Sequence, residues 1–113
     1  MNEFLLIYRR EADFDTQFTA EQLKEISKPW MDWMGGLAAQ SILADRGNRL
    51  DSTGKVVKPN NVITNGAYVE IKELIGGYSI IKAASLDEAA EIAKGCPILA
   101  VGGNVEVRQI LQM

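Results

Sequence analysis

Two strand–helix–strand units in succession predict an α+β domain with a βαββαβ core. Three observations carry that expectation. Short apolar or alternating runs, too short for helices, recur at Phe4–Tyr8, Tyr78–Lys82 and Val105–Ile110. Two capping boxes, Thr19-Ala20-Glu21-Gln22 and Ser85-Leu86-Asp87-Glu88, each open a stretch of helical periodicity. The 113 residues make one domain, 1–113, and leave no room for two.

The elements follow in order. Phe4-Leu5-Leu6-Ile7-Tyr8 reads as a strand apolar on both faces, and Arg9 to Phe18 as a polar loop. After Thr19, apolar residues fall at Leu23, Ile26, Trp30, Trp33, Met34 and Leu37, which is helical spacing on one face. Pro29 removes a backbone donor inside that pattern, so a kink or two helical pieces are expected there, and Gly35-Gly36 weakens the helix toward its end.

Asp51-Ser52-Thr53-Gly54-Lys55 reads as a turn between short strands Arg49–Asp51 and Lys55–Val57. Pro59-Asn60-Asn61 is a second turn or a small insertion. Val62-Ile63-Thr64 is strand-like, and Asn65-Gly66 is a turn signal. Tyr68 to Leu74 is ambiguous between strand and loop. The second helix runs to Lys94, with Leu86, Ala89, Ala90 and Ala93 facing inward. Gly95 is placed to cap it in the left-handed conformation, and Pro97 prevents its continuation. This order is the ferredoxin-like arrangement, an antiparallel sheet with two helices on one face.

Composition excludes several functions. Twelve basic against fifteen acidic residues give a net charge of −3, with no cationic cluster, so no nucleic-acid partner is expected. No apolar stretch approaches the ~20 residues that span a bilayer, so no membrane partner is expected. The opening Met1-Asn2-Glu3-Phe4 has no basic n-region, and the single Cys96 cannot form an internal disulfide. A cytoplasmic protein is expected. There is no histidine, which removes every His-dependent triad, dyad or metal site. No metal and no cofactor are expected.

Helices on one face leave the other face of the sheet open. The first strand carries Phe4, Leu6 and Tyr8 on one face and Leu5 and Ile7 on the other, so whichever face is open is apolar, and large exposed apolar patches are rare in monomers. A second copy related by a two-fold axis is the simplest cover, which predicts a sheet-to-sheet homodimer.

Four segments then carry a resemblance. They are Phe4-Leu5-Leu6-Ile7-Tyr8, Glu70-Ile71-Lys72-Glu73-Leu74-Ile75-Gly76-Gly77-Tyr78, Leu86-Asp87-Glu88-Ala89 through Cys96-Pro97, and Gly103-Asn104-Val105-Glu106-Val107-Arg108. In this order they resemble the YCII-related, or DGPF-domain, proteins and cover most of the chain. The E-x-K-E-x-x-G-G-Y stretch is the most specific of them. The resemblance implies a ferredoxin-like fold of the dimeric α/β-barrel group, with a pocket beside the sheet and an activity mostly unassigned. Where the family has Asp-Gly-Pro-Phe, this chain has Asn65-Gly66-Ala67-Tyr68. Asn65 has the shape of Asp but cannot ionise. A His-Asp pair, implied for some relatives, does not carry over to a chain without histidine.

The candidate ligand-binding residues are Tyr8, Trp30, Met34, Asn65, Tyr68, Glu70, Lys72 and Tyr78. The tyrosines can donate hydrogen bonds to a ligand, or simply be core aromatics with hydroxyls at the rim. Glu70, Lys72 and Glu73 can place charge at a pocket mouth, or form a solvated ion-pair edge. Trp30, Trp33, Met31 and Met34 can line an aromatic-accepting pocket, or fill the core. Glu106 and Arg108 share a strand face and can pair with each other or across a two-fold. No catalytic residue is assigned.

Three functions fit these residues. The first is a homodimer with a small-molecule pocket between the first helix and the sheet. The second is a His-independent isomerase, lyase or monooxygenase acting on an aromatic or keto acid. The third is an accessory module that binds another protein by its surface.

Overall fold

The structure, a computed structural model, describes residues 1–11, 18–51, 53–65 and 73–112. Among these residues six strands and two α-helices follow one another: β1 (Asn2–Glu11), α1 (Ala20–Ala39), β2 (Leu43–Asp45), β3 (Lys55–Lys58), β4 (Val62–Asn65), β5 (Glu73–Ala83), α2 (Leu86–Ala93) and β6 (Asn104–Gln109). Four of the strands form one antiparallel sheet in the order β2-β5-β1-β6. This is the ferredoxin-like order. The hairpin β3–β4 is an insertion between the second and third core strands and, among the described residues, pairs only with itself.

Strand alternation explains the core. Phe4, Leu6, Tyr8 and Arg10 point to the helix side and are buried. Across from Phe4 and Leu6 stand Ile81 and Ser79 of β5, also buried. Met34 and Leu37 of α1, Ala89 and Ala93 of α2, and Cys96 and Ile98 beyond it close this core. Leu5, Ile7 and Ile80 occupy the opposite face and are only half-buried.

The structure corrects several local expectations. Strand β1 continues through Arg9 to Glu11, so that part of the expected loop is sheet, with a register shift between Tyr8 and Arg9. The two-piece first helix is not formed: α1 runs unbroken through Pro29. Pro29 is exposed, so the hydrogen bond it forfeits lies on the solvent side, where water can replace it. Its N-terminus carries the full capping box. The Gln22 amide donates to the Thr19 hydroxyl at 3.2 Å, and the Thr19 amide donates to the Gln22 side chain at 2.8 Å.

The hairpin partner of β3 is β4, not 49–51. Arg49 instead makes an isolated bridge to Gly77 of β5, and Leu43–Asp45, outside the expected strands, pairs with β5 as β2. The Pro59–Asn61 turn joins β3 to β4, with Asn60 and Asn61 at positive φ.

On α2, Leu86 is exposed rather than inward, and the buried stripe is Ala89 and Ala93. These small side chains let the helix lie close to the sheet. Gly95 is not left-handed. The last turn tightens instead, with the Gly95 and Cys96 amides donating to Ile92 and Ala93 carbonyls at 3.2 and 3.0 Å. Gly95 has a packing reason: a Cβ there would come within 2.9 Å of Trp33 Nε1. Among the described residues no helix is long and apolar enough to cross a membrane, and no His/Cys/Asp/Glu group could hold a metal.

Candidate functional site

Helix α1 is anchored at its C-terminal end, where Met34 and Leu37 are its buried residues. Toward the N-terminus, Leu23, Ile26 and Trp30 are only half-buried. The helix therefore overhangs the sheet, and a cleft of about 320 Å³ lies beneath it. Its roof is mostly apolar, Leu23, Ile26, Trp30, Met31 and Met34, with the Ser27 hydroxyl donating back to the Leu23 carbonyl at 2.8 Å. Its floor is Tyr8, Arg10 and Ser79 with the Gly76-Gly77 backbone. Its rim is the segment Arg46-Gly47-Asn48-Arg49.

The rim is pinned to β5 by a series of hydrogen bonds. The Ser79 hydroxyl donates to the Arg46 carbonyl at 2.7 Å. The Tyr78 amide donates to the Asn48 carbonyl at 3.2 Å, and the Leu50 amide to the Gly76 carbonyl at 2.8 Å. The Gly47 amide donates to the Asp45 carboxylate at 2.8 Å. Gly47 sits at φ +73°, and a Cβ there would fall 1.7 Å from the Tyr78 carbonyl oxygen, so only glycine fits.

Tyr8 joins core and cleft. Its ring meets Trp30 edge-on with centroids 4.8 Å apart, and Trp33 at 6.4 Å. Its hydroxyl is buried with no hydrogen-bond partner among the described residues. Burial pushes its phenol well above the usual tyrosine range. Ser79 beside it eases that rise without the geometry of a hydrogen bond, and Cys96 adds to it. Tyr8 is thus a donor that stays protonated. Burial also pushes the Cys96 thiol up to about 11, against a smaller opposing pull from the Ile98 backbone.

The sequence behind this geometry is that of a known domain family. It matches the YCII-related domain over residues 1–113. The chain belongs to the YCII-related domain family. No curated protein matches it.

In this YCII-related domain, Tyr8, Trp30, Met34 and Tyr78 all border the cleft. Met34 is shared with the core, so the Trp/Met stripe of α1 divides between the two roles, and Met31 is largely exposed. Tyr78 stands opposite Ile7, so its ring is placed away from Tyr8, and its hydroxyl accepts from Asn48 Nδ2 at 3.0 Å. Asn65 ends β4 opposite Lys55 in the inserted hairpin. Tyr68, Glu70 and Lys72 lie outside the described residues. On the helix-free face, Glu106 accepts from Arg9 at 3.1 Å and pairs with Arg108 at 3.5 Å, a short row of charges within one chain.

Sequence reasoning missed Arg10, Arg46 and Arg49. Arg10 falls in the polar run that reads as a loop, yet it continues the even-numbered inward positions of β1. Arg46 and Arg49 flank Gly47-Asn48, a turn-forming pair whose position beside β5 depends on long-range pairing.

Proposed function

We propose that this YCII-related domain works as a homodimer that binds a small organic molecule in the cleft between α1 and the sheet. The observation that carries the reading is the overhang of α1. It leaves an apolar, aromatic-roofed space with polar groups converging on one side, the usual composition of a small-molecule site. Among the described lining residues the titratable groups are three arginines and two tyrosines. Tyr8 is held protonated by burial, so these groups favour holding and orienting a ligand over general-base chemistry.

The dimer is supported by the helix-free face. Leu5, Ile7, Tyr78 and Ile80 are half-buried at its centre. Arg9, Glu106 and Arg108 lie alongside, and Glu3 is paired in register with Lys82. An apolar centre with mixed charge around it suits a self-complementary two-fold contact.

Native mass spectrometry on gently purified protein tests both parts. The expected result is twice the chain mass plus a small adduct that leaves on unfolding. A single-chain mass at micromolar concentration would sink the dimer. A dimer that takes up no organic molecule from a fragment collection would sink the ligand site and favour an accessory, surface-binding role.

A further inference from the structure

We infer that the cleft takes a small planar organic anion, its acidic group held by Arg46 and Arg49 and its ring lying against Trp30. This rests on the cleft being a ligand site, as proposed above, and adds the chemistry of the ligand. The chain as a whole carries a net charge of −3, yet the described cleft lining holds Arg10, Arg46 and Arg49 and no Asp or Glu. Arginines grouped at a cleft attract anions and steer them inward.

The three arginines border the cleft at two depths. Arg10 is 4 % exposed and lies at the floor, packed under Gly76, where a Cβ would meet its Nε at 2.6 Å. Arg46 and Arg49 are exposed at the rim. The bonds that tie 46–50 to Ser79, Tyr78 and Gly76 of β5 fix the backbone that carries them, so less loop entropy is lost on binding. Arginine also suits this task by its own chemistry. Its planar fork matches a carboxylate bidentately, and its weak hydration lets it work beside an apolar wall.

The opposite wall is Trp30 with Met31 and Met34, which offers ring and thioether contacts to a flat apolar body. At about 320 Å³ the space suits a molecule of one or two rings. An acidic group at the rim and a ring beneath α1 would satisfy both walls at once.

The test compares two probes of nearly equal shape, 2-naphthoate and the neutral 2-naphthamide, by calorimetry and saturation-transfer NMR on the intact chain. We expect naphthoate to bind about tenfold or more tightly than naphthamide, the effect of one to two charge-assisted hydrogen bonds. Arg46→Gln and Arg49→Gln should each erase most of that preference. Lys94→Gln removes the same charge from an exposed pair with Glu91 on α2, and should leave it intact. Equal affinity for both probes, or a preference that survives both arginine substitutions, overturns the anion inference while the cleft remains a ligand site. Failure of both probes to bind at millimolar concentration overturns the anion inference and the ligand site together. Because both arginine side chains are exposed, unfolding curves should confirm that the variants keep their fold.

Discussion

Tyr8 shows how one residue can serve packing and leave chemistry unspent. Its ring fills the junction of β1 with Trp30 and Trp33, while its hydroxyl is buried without a partner among the described residues. A buried unpaired hydroxyl costs about 1–3 kcal/mol. Tyr8→Phe is therefore expected to hold or raise stability in urea unfolding. A loss of more than about 1 kcal/mol would mean that the hydroxyl has a partner in solution. Cys96 gives a pH dependence of definite sign. The unfolded thiol releases its proton around 9.0, whereas the folded one holds it up to about 11. The stabilisation is complete below the lower value and is lost as pH rises through this window. Tyr8, raised for the same reason, acts in the same direction at still higher pH. The urea midpoint should fall across that range, and Cys96→Ala should flatten the first part of the fall.

At the scale of elements, the rim segment and α1 respond differently to damage. The rim at Gly47 is built by close backbone approach to β5. Gly47→Ala meets both a left-handed φ and a steric clash, and should cost roughly 2–3 kcal/mol in global stability. An effect below about 1 kcal/mol would show that the rim can move away from β5 cheaply. Helix α1 is capped strongly but packed weakly over its first half. Loss of the box in Thr19→Ala should cost about 1 kcal/mol. That cost should appear as faster amide exchange at Leu23 to Ser27, with little change in the global unfolding midpoint, because these turns open without disturbing Met34 and Leu37. A matching drop in the global midpoint would show that the overhang folds and unfolds with the core.

The molecule as a whole is a slab, 43 × 42 × 18 Å, with a Cα radius of gyration of 15.4 Å. A compact chain of this length would measure about 13 Å. The helices cover one face of the sheet, and the half-buried apolar residues lie on the other. Placing a charge at the centre of that face is the direct test of the proposed dimer. Ile7→Lys should give a single-chain mass by sedimentation while keeping a folded circular dichroism spectrum. A variant that stays dimeric would move the contact to another surface.

Local patterns in this chain were enough to declare most of its elements. Thr19 and Gln22 announce α1, Ser85 announces α2, and the alternation of Val105-Glu106-Val107 announces β6, because capping and period-two burial act over a few residues. The family was legible as well, since its signature is a stretch of consecutive residues ending in Gly76-Gly77-Tyr78. Three kinds of feature depended on the assembled chain. Whether Pro29 broke α1 turned on which side of the helix it faced. The partner of β3 was chosen among competing short strands by pairing that no single segment encodes. The cleft arose because α1 overhangs the sheet, while the β1–β5 ladder and the bonds from 46–50 to β5 bring Arg10 to its floor and Arg46 and Arg49 to its rim. Short-range chemistry determined the elements, and long-range pairing and packing decided which side chains face one another across the space between them.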